Sequence, residues 1–249
     1  MLSVAPSAAL ICGFVLVHVY GGRLHFLEGT PRSRWLSLAG GISVAYVFVH
    51  VLPELGEAQA RLAARFGLVP YVEHHAYLVA LLGLAAFYGL ERMVAVSQRQ
   101  GAARQAMAAR TSETAASQLV FWIHVASFVV YNMLIGYLLV HREDMSATGL
   151  ASYFVAMALH FLVNDFALRE DHQDTYRRVR WLLAAAIVAG WLVGLAVALS
   201  APVVDLLFAF LAGGVLLNVL KEELPEERQS RFWPFAAGAI AYALVLLAI

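Results

Sequence analysis

The sequence predicts an all-α integral membrane protein, a single transmembrane domain over residues 1–249 with about eight helices. Three observations predict it. Hydrophobic residues make up 61% of the chain and charged residues 14%, whereas a soluble domain carries about 25% charged residues. Mean hydropathy is +0.73, too apolar for a surface that faces water. The apolar residues also fall into runs near the length of about 20 that a helix needs to cross the hydrocarbon core.

These runs place helices 1 to 8 near 4–22, 36–54, 72–97, 118–140, 148–169, 179–200, 203–221 and 232–249. Helix 1 has no Lys or Arg before Arg23. A cleaved signal peptide would need a basic start and a small-residue cleavage site, so the segment is read as a span. Helix 2 carries Ala39-Gly40-Gly41 and ends on Leu52-Pro53-Glu54. The stretch 98–117 after helix 3 is polar and rich in Ala, Gln and Arg, which suits a loop or a short surface helix. Helix 4 aligns His124, Ser127 and Tyr131 at i, i+3 and i+7, with Asn132 beside Tyr131. Helix 5 carries His160, Asn164 and Asp165, and helix 6 carries Gly190 and Gly194. Helix 7 contains Ala212-Gly213-Gly214 and leads to Leu224-Pro225-Glu226.

Cytoplasmic loops of membrane proteins are enriched in Lys and Arg. Arg23, Arg32 and Arg34 follow helix 1, and Arg92, Arg99, Arg104 and Arg110 follow helix 3. Arg169, Arg177, Arg178 and Arg180 follow helix 5, and Lys221, Arg228 and Arg231 follow helix 7. Only Arg61, Arg65 and Arg142 fall on the other side. Such a split alternates correctly with eight helices and puts both termini outside the cytoplasm. A bacterial inner membrane is the expected location, with the lipid bilayer as the first partner.

The 17 cations and 17 acids cancel, so nothing points to a nucleic-acid partner. Cys12 is the only cysteine, which excludes an intrachain disulfide and a cysteine-built metal site. Small residues such as Gly190 and Gly194 serve either packing within the chain or a homodimer. Helices 2 and 7, with their Gly pairs and Leu-Pro-Glu elements, read either as an inverted repeat of helices 1–3 and 6–8, common in secondary transporters, or as coincidence, since Gly helps helices pack and Pro ends them.

Ionisable groups within a span are costly and mark function. His18 in helix 1 is read as a hydrogen-bond partner for a neighbouring helix. His50 and Glu54 share a face and serve either a site or a polar cap; Glu73, His74 and His75 suit a solvated helix start. Imidazole, carboxamide and carboxylate at His160, Asn164 and Asp165 suit a divalent cation or a structural hydrogen-bond network. His124 joins them only if helices 4 and 5 pack together.

The order of these features resembles the ZIP (Zrt/Irt-like) family of metal transporters over nearly the whole chain. Gly40-Gly41 through Leu52-Pro53-Glu54, helix 3 with Gly89-Leu90-Glu91, and helix 7 with Leu224-Pro225-Glu226 carry the resemblance. It implies eight helices and transport of a divalent cation. The metal motifs depart from the family. Its fourth helix carries His-Asn-x-x-Asp-Gly; the matched stretch here, Ser127-Phe128-Val129-Val130-Tyr131-Asn132, keeps none of the ligands. Its fifth carries His-Glu-x-Pro-His-Glu; here His160-Phe161-Leu162-Val163-Asn164-Asp165 keeps the first His and ends in Asp.

The resemblance therefore implies one altered metal site at most, built from His160, Asn164 and Asp165, with His124 contributing. Zinc or a similar divalent cation would be the substrate, and no tightly bound cofactor is expected. The alternative is a ZIP-fold protein that no longer moves metal and acts as a sensor, a partner subunit or a carrier of another solute. A membrane-embedded metal hydrolase is disfavoured, because no His-Glu-x-x-His-like signature or serine nucleophile motif occurs. The chain is therefore read as a non-enzyme.

Overall fold

A computed structural model describes residues 4–21, 33–66, 75–107, 115–142, 146–171, 173–223 and 231–248. Among them the regular structure is helical and forms eight rods. We number these α1 (Val4–Tyr20), α2 (Arg34–Tyr46, a π turn at Val47–Val51, then Leu52–Phe66), α3 (His75–Met107), α4 (Ala115–Val140), α5 (Ala147–Asp171), α6 (Gln173–Ala196), α7 (Ala201–Glu223) and α8 (Phe232–Ala248). In lipid a backbone must satisfy its own hydrogen bonds, which a helix does within one segment. Six rods are long and apolar enough to cross a bilayer; α1 and α8, also apolar, have 17 residues each. The protein is an all-α integral membrane protein whose outer surface meets lipid.

Proline placement follows backbone chemistry. Pro6, Pro202 and Pro234 lie in the first turns of α1, α7 and α8, where an amide has no partner within the helix anyway. Pro53 lies inside α2, and the helix runs past Glu54, the end its sequence suggests, to Phe66. The π turn explains this: the Leu52 amide bonds back to Val47, five residues away, and the widened turn relieves the clash that a proline ring makes with the carbonyl four residues before it. Beyond it Leu55, Ala58 and Leu62 are buried at i, i+3 and i+7, one face of a helix. Helix α3 likewise extends to Met107, into the stretch read as a loop or surface helix. Glu73, His74 and Leu224-Pro225-Glu226 lie outside the described residues.

The rods form two groups. Helices α1, α4, α5 and α6 pack together, as do α2, α3, α7 and α8; α2 against α5 and α3 against α4 join the groups. The closest pairs are α4 with α6, α2 with α8, and α3 with α7. Glycine decides each of these crossings. A Cβ on Gly41 would collide with the Phe235 carbonyl, and one on Gly238 with the Leu38 carbonyl. Gly213 stands in the same way against Ala80, and Gly83 against Phe210. Gly136 stands against Ile187, and Gly190 against Met133. In all three pairs each glycine lies three residues beyond the carbonyl that its own helix presents, so backbones touch and α-carbon hydrogens face carbonyl oxygens. Gly190 and Gly194 are both taken up by α4 inside the chain.

Aromatic rings fill the junction. Phe14 packs edge-on to Tyr153 and Phe161, and Phe87 of α3 lies edge-on to Tyr131 of α4 at 5.5 Å. On the outside Trp35, Trp122, Trp181 and Trp233 are 46% to 79% exposed. All four stand near the starts of even-numbered rods, level with Arg34, Arg180 and Arg231. Amphipathic indoles collect at the membrane–water boundary, so this ring marks one face of the bilayer.

Candidate functional site

Polar side chains occur at three levels inside the bundle. The first joins α4 to α5. His160 and Asn164, four residues apart, share a helix face. The Asn164 amide lies 3.0 Å from His160 Nε2, and the Tyr131 hydroxyl 2.7 Å from the same nitrogen. All three groups are at least partly buried, and Phe87 against Tyr131 brings this level to the junction of the two helix groups.

The second level joins three helices. Asp165 follows Asn164, so its side chain is turned by about 100° around α5. It faces α1, where His18 Nδ1 lies 2.8 Å from Asp165 Oδ2. The other ring nitrogen, Nε2, lies 2.9 Å from Asn132 Oδ1 on α4. Asn132 Nδ2 donates to the Phe128 carbonyl at 2.9 Å, which fixes the amide with its oxygen toward His18. Nε2 therefore donates to Asn132, and one proton is shared between Nδ1 and Asp165 Oδ2. His18 and Asp165, each at most 4% exposed, form a buried hydrogen-bonded pair.

The third level crosses between the groups at the tryptophan-ringed end. His124 Nε2 of α4 lies 3.1 Å from Glu91 Oε1 of α3, and Lys221 Nζ of α7 lies 2.6 Å from Glu91 Oε2. His124 Nδ1 is buried without a partner. His124 pairs with Glu91, whereas Asp165 pairs with His18.

The four candidate ligands thus stand at three places. His160 and Asn164 come together, Asp165 turns to His18 and Asn132, and His124 pairs with Glu91. Among the described residues no three His, Cys, Asp or Glu side chains gather as a group that could hold a metal. His50 and Glu54 stand 3.6 Å apart at the opposite end of the bundle.

Several participants were not legible as site residues. Glu91, Lys221 and Asp205 each lie at or within an apolar run, the signal that an intramembrane charge has a partner. Asp205 receives Arg61 through two hydrogen bonds, 3.1 and 2.8 Å. Lys221 also had the signal of being the only lysine in the chain. No family model matches the chain, and no curated protein matches it.

Proposed function

We propose that the chain is an eight-span, ZIP-like transporter that carries a divalent cation, zinc or a similar ion, across the bacterial inner membrane. The observation that carries the reading is the equivalent pairing of α2 with α8 and of α7 with α3, each a glycine crossing of the spacing that α4 with α6 also shows. Leu38 and Gly41 on α2 meet Phe235, Gly238 and Ala239 on α8 with the same spacing by which Phe210 and Gly213 on α7 meet Ala80, Gly83 and Leu84 on α3. That correspondence supports an inverted repeat relating α1–α3 to α6–α8, with α2·α8 equivalent to α7·α3. Inverted repeats place substrate sites near the bilayer midplane and let one group of helices rock against another. Asp165 is the anionic ligand, His160 the nitrogen ligand and Asn164 an oxygen donor, with His124 near the exit.

For these groups to meet one ion, Asp165 must exchange its bond to His18 for the cation, and His160 its bonds to Tyr131 and Asn164. The test is cation flux by Asp165→Asn, which keeps an acceptor toward His18 but removes the negative ligand. Flux is expected to fall at least about tenfold, the result of losing about 1.4 kcal/mol of cation stabilisation or more; undiminished flux would take Asp165 out of the path. The second reading, a ZIP-like protein that moves no metal, is favoured by the separation of the four candidates.

Topology is tested in a Cys12→Ser background. Both terminal epitope tags are expected on the outside, and cysteines at Ser33 and Ser230 are expected to react with an impermeant maleimide only from inside. Labelling of Ser33→Cys on the same side as the amino-terminal tag would mean that α1 does not span.

A further inference from the structure

At the end of the bundle away from the tryptophans lies a cavity of about 80 Å³, lined by Tyr46, Glu54, Arg61, Arg142, Tyr153 and Asp205 over an apolar floor. It has room for several waters or one small organic anion. Its two arginines differ. Arg61 is matched: its guanidinium holds Asp205 at 2.8 Å and reaches Glu57 at 3.9 Å.

Arg142 is held by neutral groups. Its Nη2 lies 3.2 Å from His50 Nε2, its Cζ stands 4.3 Å over the Tyr153 ring, and Tyr46 accepts a hydrogen bond from it. The π turn of α2 is what brings His50 here, stacked on Tyr46 at 5.0 Å. Glu54 Oε2 lies 3.6 Å from the same His50 nitrogen, so the imidazole stands beside both groups. No carboxylate among the described residues lies within ion-pair distance of Arg142, and its Nε is buried without a hydrogen-bond partner. A guanidinium stays charged at every physiological pH; the Glu54 carboxylate acts on it only from beyond ion-pair distance, and its buried, unsatisfied Nε–H is costly. Its remaining donors suit a planar carboxylate, which a guanidinium takes in bidentate fashion.

We propose that this cavity is an anion site in which Arg142 binds a small monocarboxylate, with Tyr46 and Tyr153 fixing the guanidinium plane. The site stands whether or not a cation crosses the protein.

The test uses the full chain in detergent. Its melting temperature is measured against sodium formate, with sodium chloride at equal ionic strength as the reference. A saturable rise of at least about 3 °C over chloride is expected, and Arg142→Gln is expected to lose it. Arg142→Lys keeps the charge without the fork and is expected to shift the formate midpoint at least about tenfold upward. A control, E143Q/D144N, removes the acids next in sequence and is expected to keep the rise. An equal rise in chloride, no rise in the wild type, a rise unchanged in Arg142→Gln or Arg142→Lys, or its loss in E143Q/D144N would each overturn the proposal. Should Arg142→Gln fail to fold, the Arg142→Lys midpoint and the wild-type comparison with chloride decide.

Discussion

Gly213→Leu is expected to yield almost no folded protein, and Gly41→Leu the same. A Cβ at Gly213 would meet the Ala80 carbonyl and one at Gly41 the Phe235 carbonyl. Main-chain atoms cannot rotate aside as a side-chain end can, so the two helices must separate. Overpacking a tight site typically costs about 1–3 kcal/mol and occasionally more, and a backbone collision belongs at the upper end. The remaining side-chain atoms of leucine add to it. Size-exclusion profiles and melting curves in detergent check this, with Gly89→Ala as the control. A Cβ on Gly89 has nothing within 4 Å, so that variant should melt at or above the wild-type temperature. Normal melting of Gly213→Leu would mean that α3 and α7 do not cross so closely.

The second large effect is expected from His18→Leu. The substitution leaves the Asp165 carboxyl and the Asn132 oxygen buried and unpaired, and stranding a buried polar group costs about 1–3 kcal/mol, more where it is charged. Removing both partners is less costly than stranding one, so His18→Leu/Asp165→Leu should recover part of the loss. A thermal double-mutant cycle measures the coupling. A single variant that costs under about 1 kcal/mol would show that the pair contributes little to stability.

The rods were legible because apolar length is a strong signal: the runs near 118–140, 148–169, 203–221 and 232–249 differ from α4, α5, α7 and α8 by three residues or fewer at each end. The continuation of α2 past Pro53 was not, since a proline ordinarily closes a helix and nothing in the sequence announces a π turn. His18 could be read as a helix-bridging residue, and it does bridge helices. Its partners could not be read, because Asn132 and Asp165 lie 114 and 147 residues away. Spacing grouped Asn164 with Asp165, while the 100° step between neighbours on a helix sends their side chains to different partners. The arginine of the end cavity was legible only as a loop cation; its burial between Tyr46, His50 and Tyr153 depends on how α2 and α5 meet.

Whether this architecture moves a divalent cation is decided by flux into proteoliposomes loaded with a divalent-sensitive dye. Zinc, cadmium, manganese and iron(II) are offered to the wild type and to His160→Gln/Asp165→Asn, chosen to keep the hydrogen bonds around both positions. A saturable response to at least one of these ions, lost in the double variant, is expected. No response to any of them, from wild-type protein shown to be folded and inserted, would contradict it.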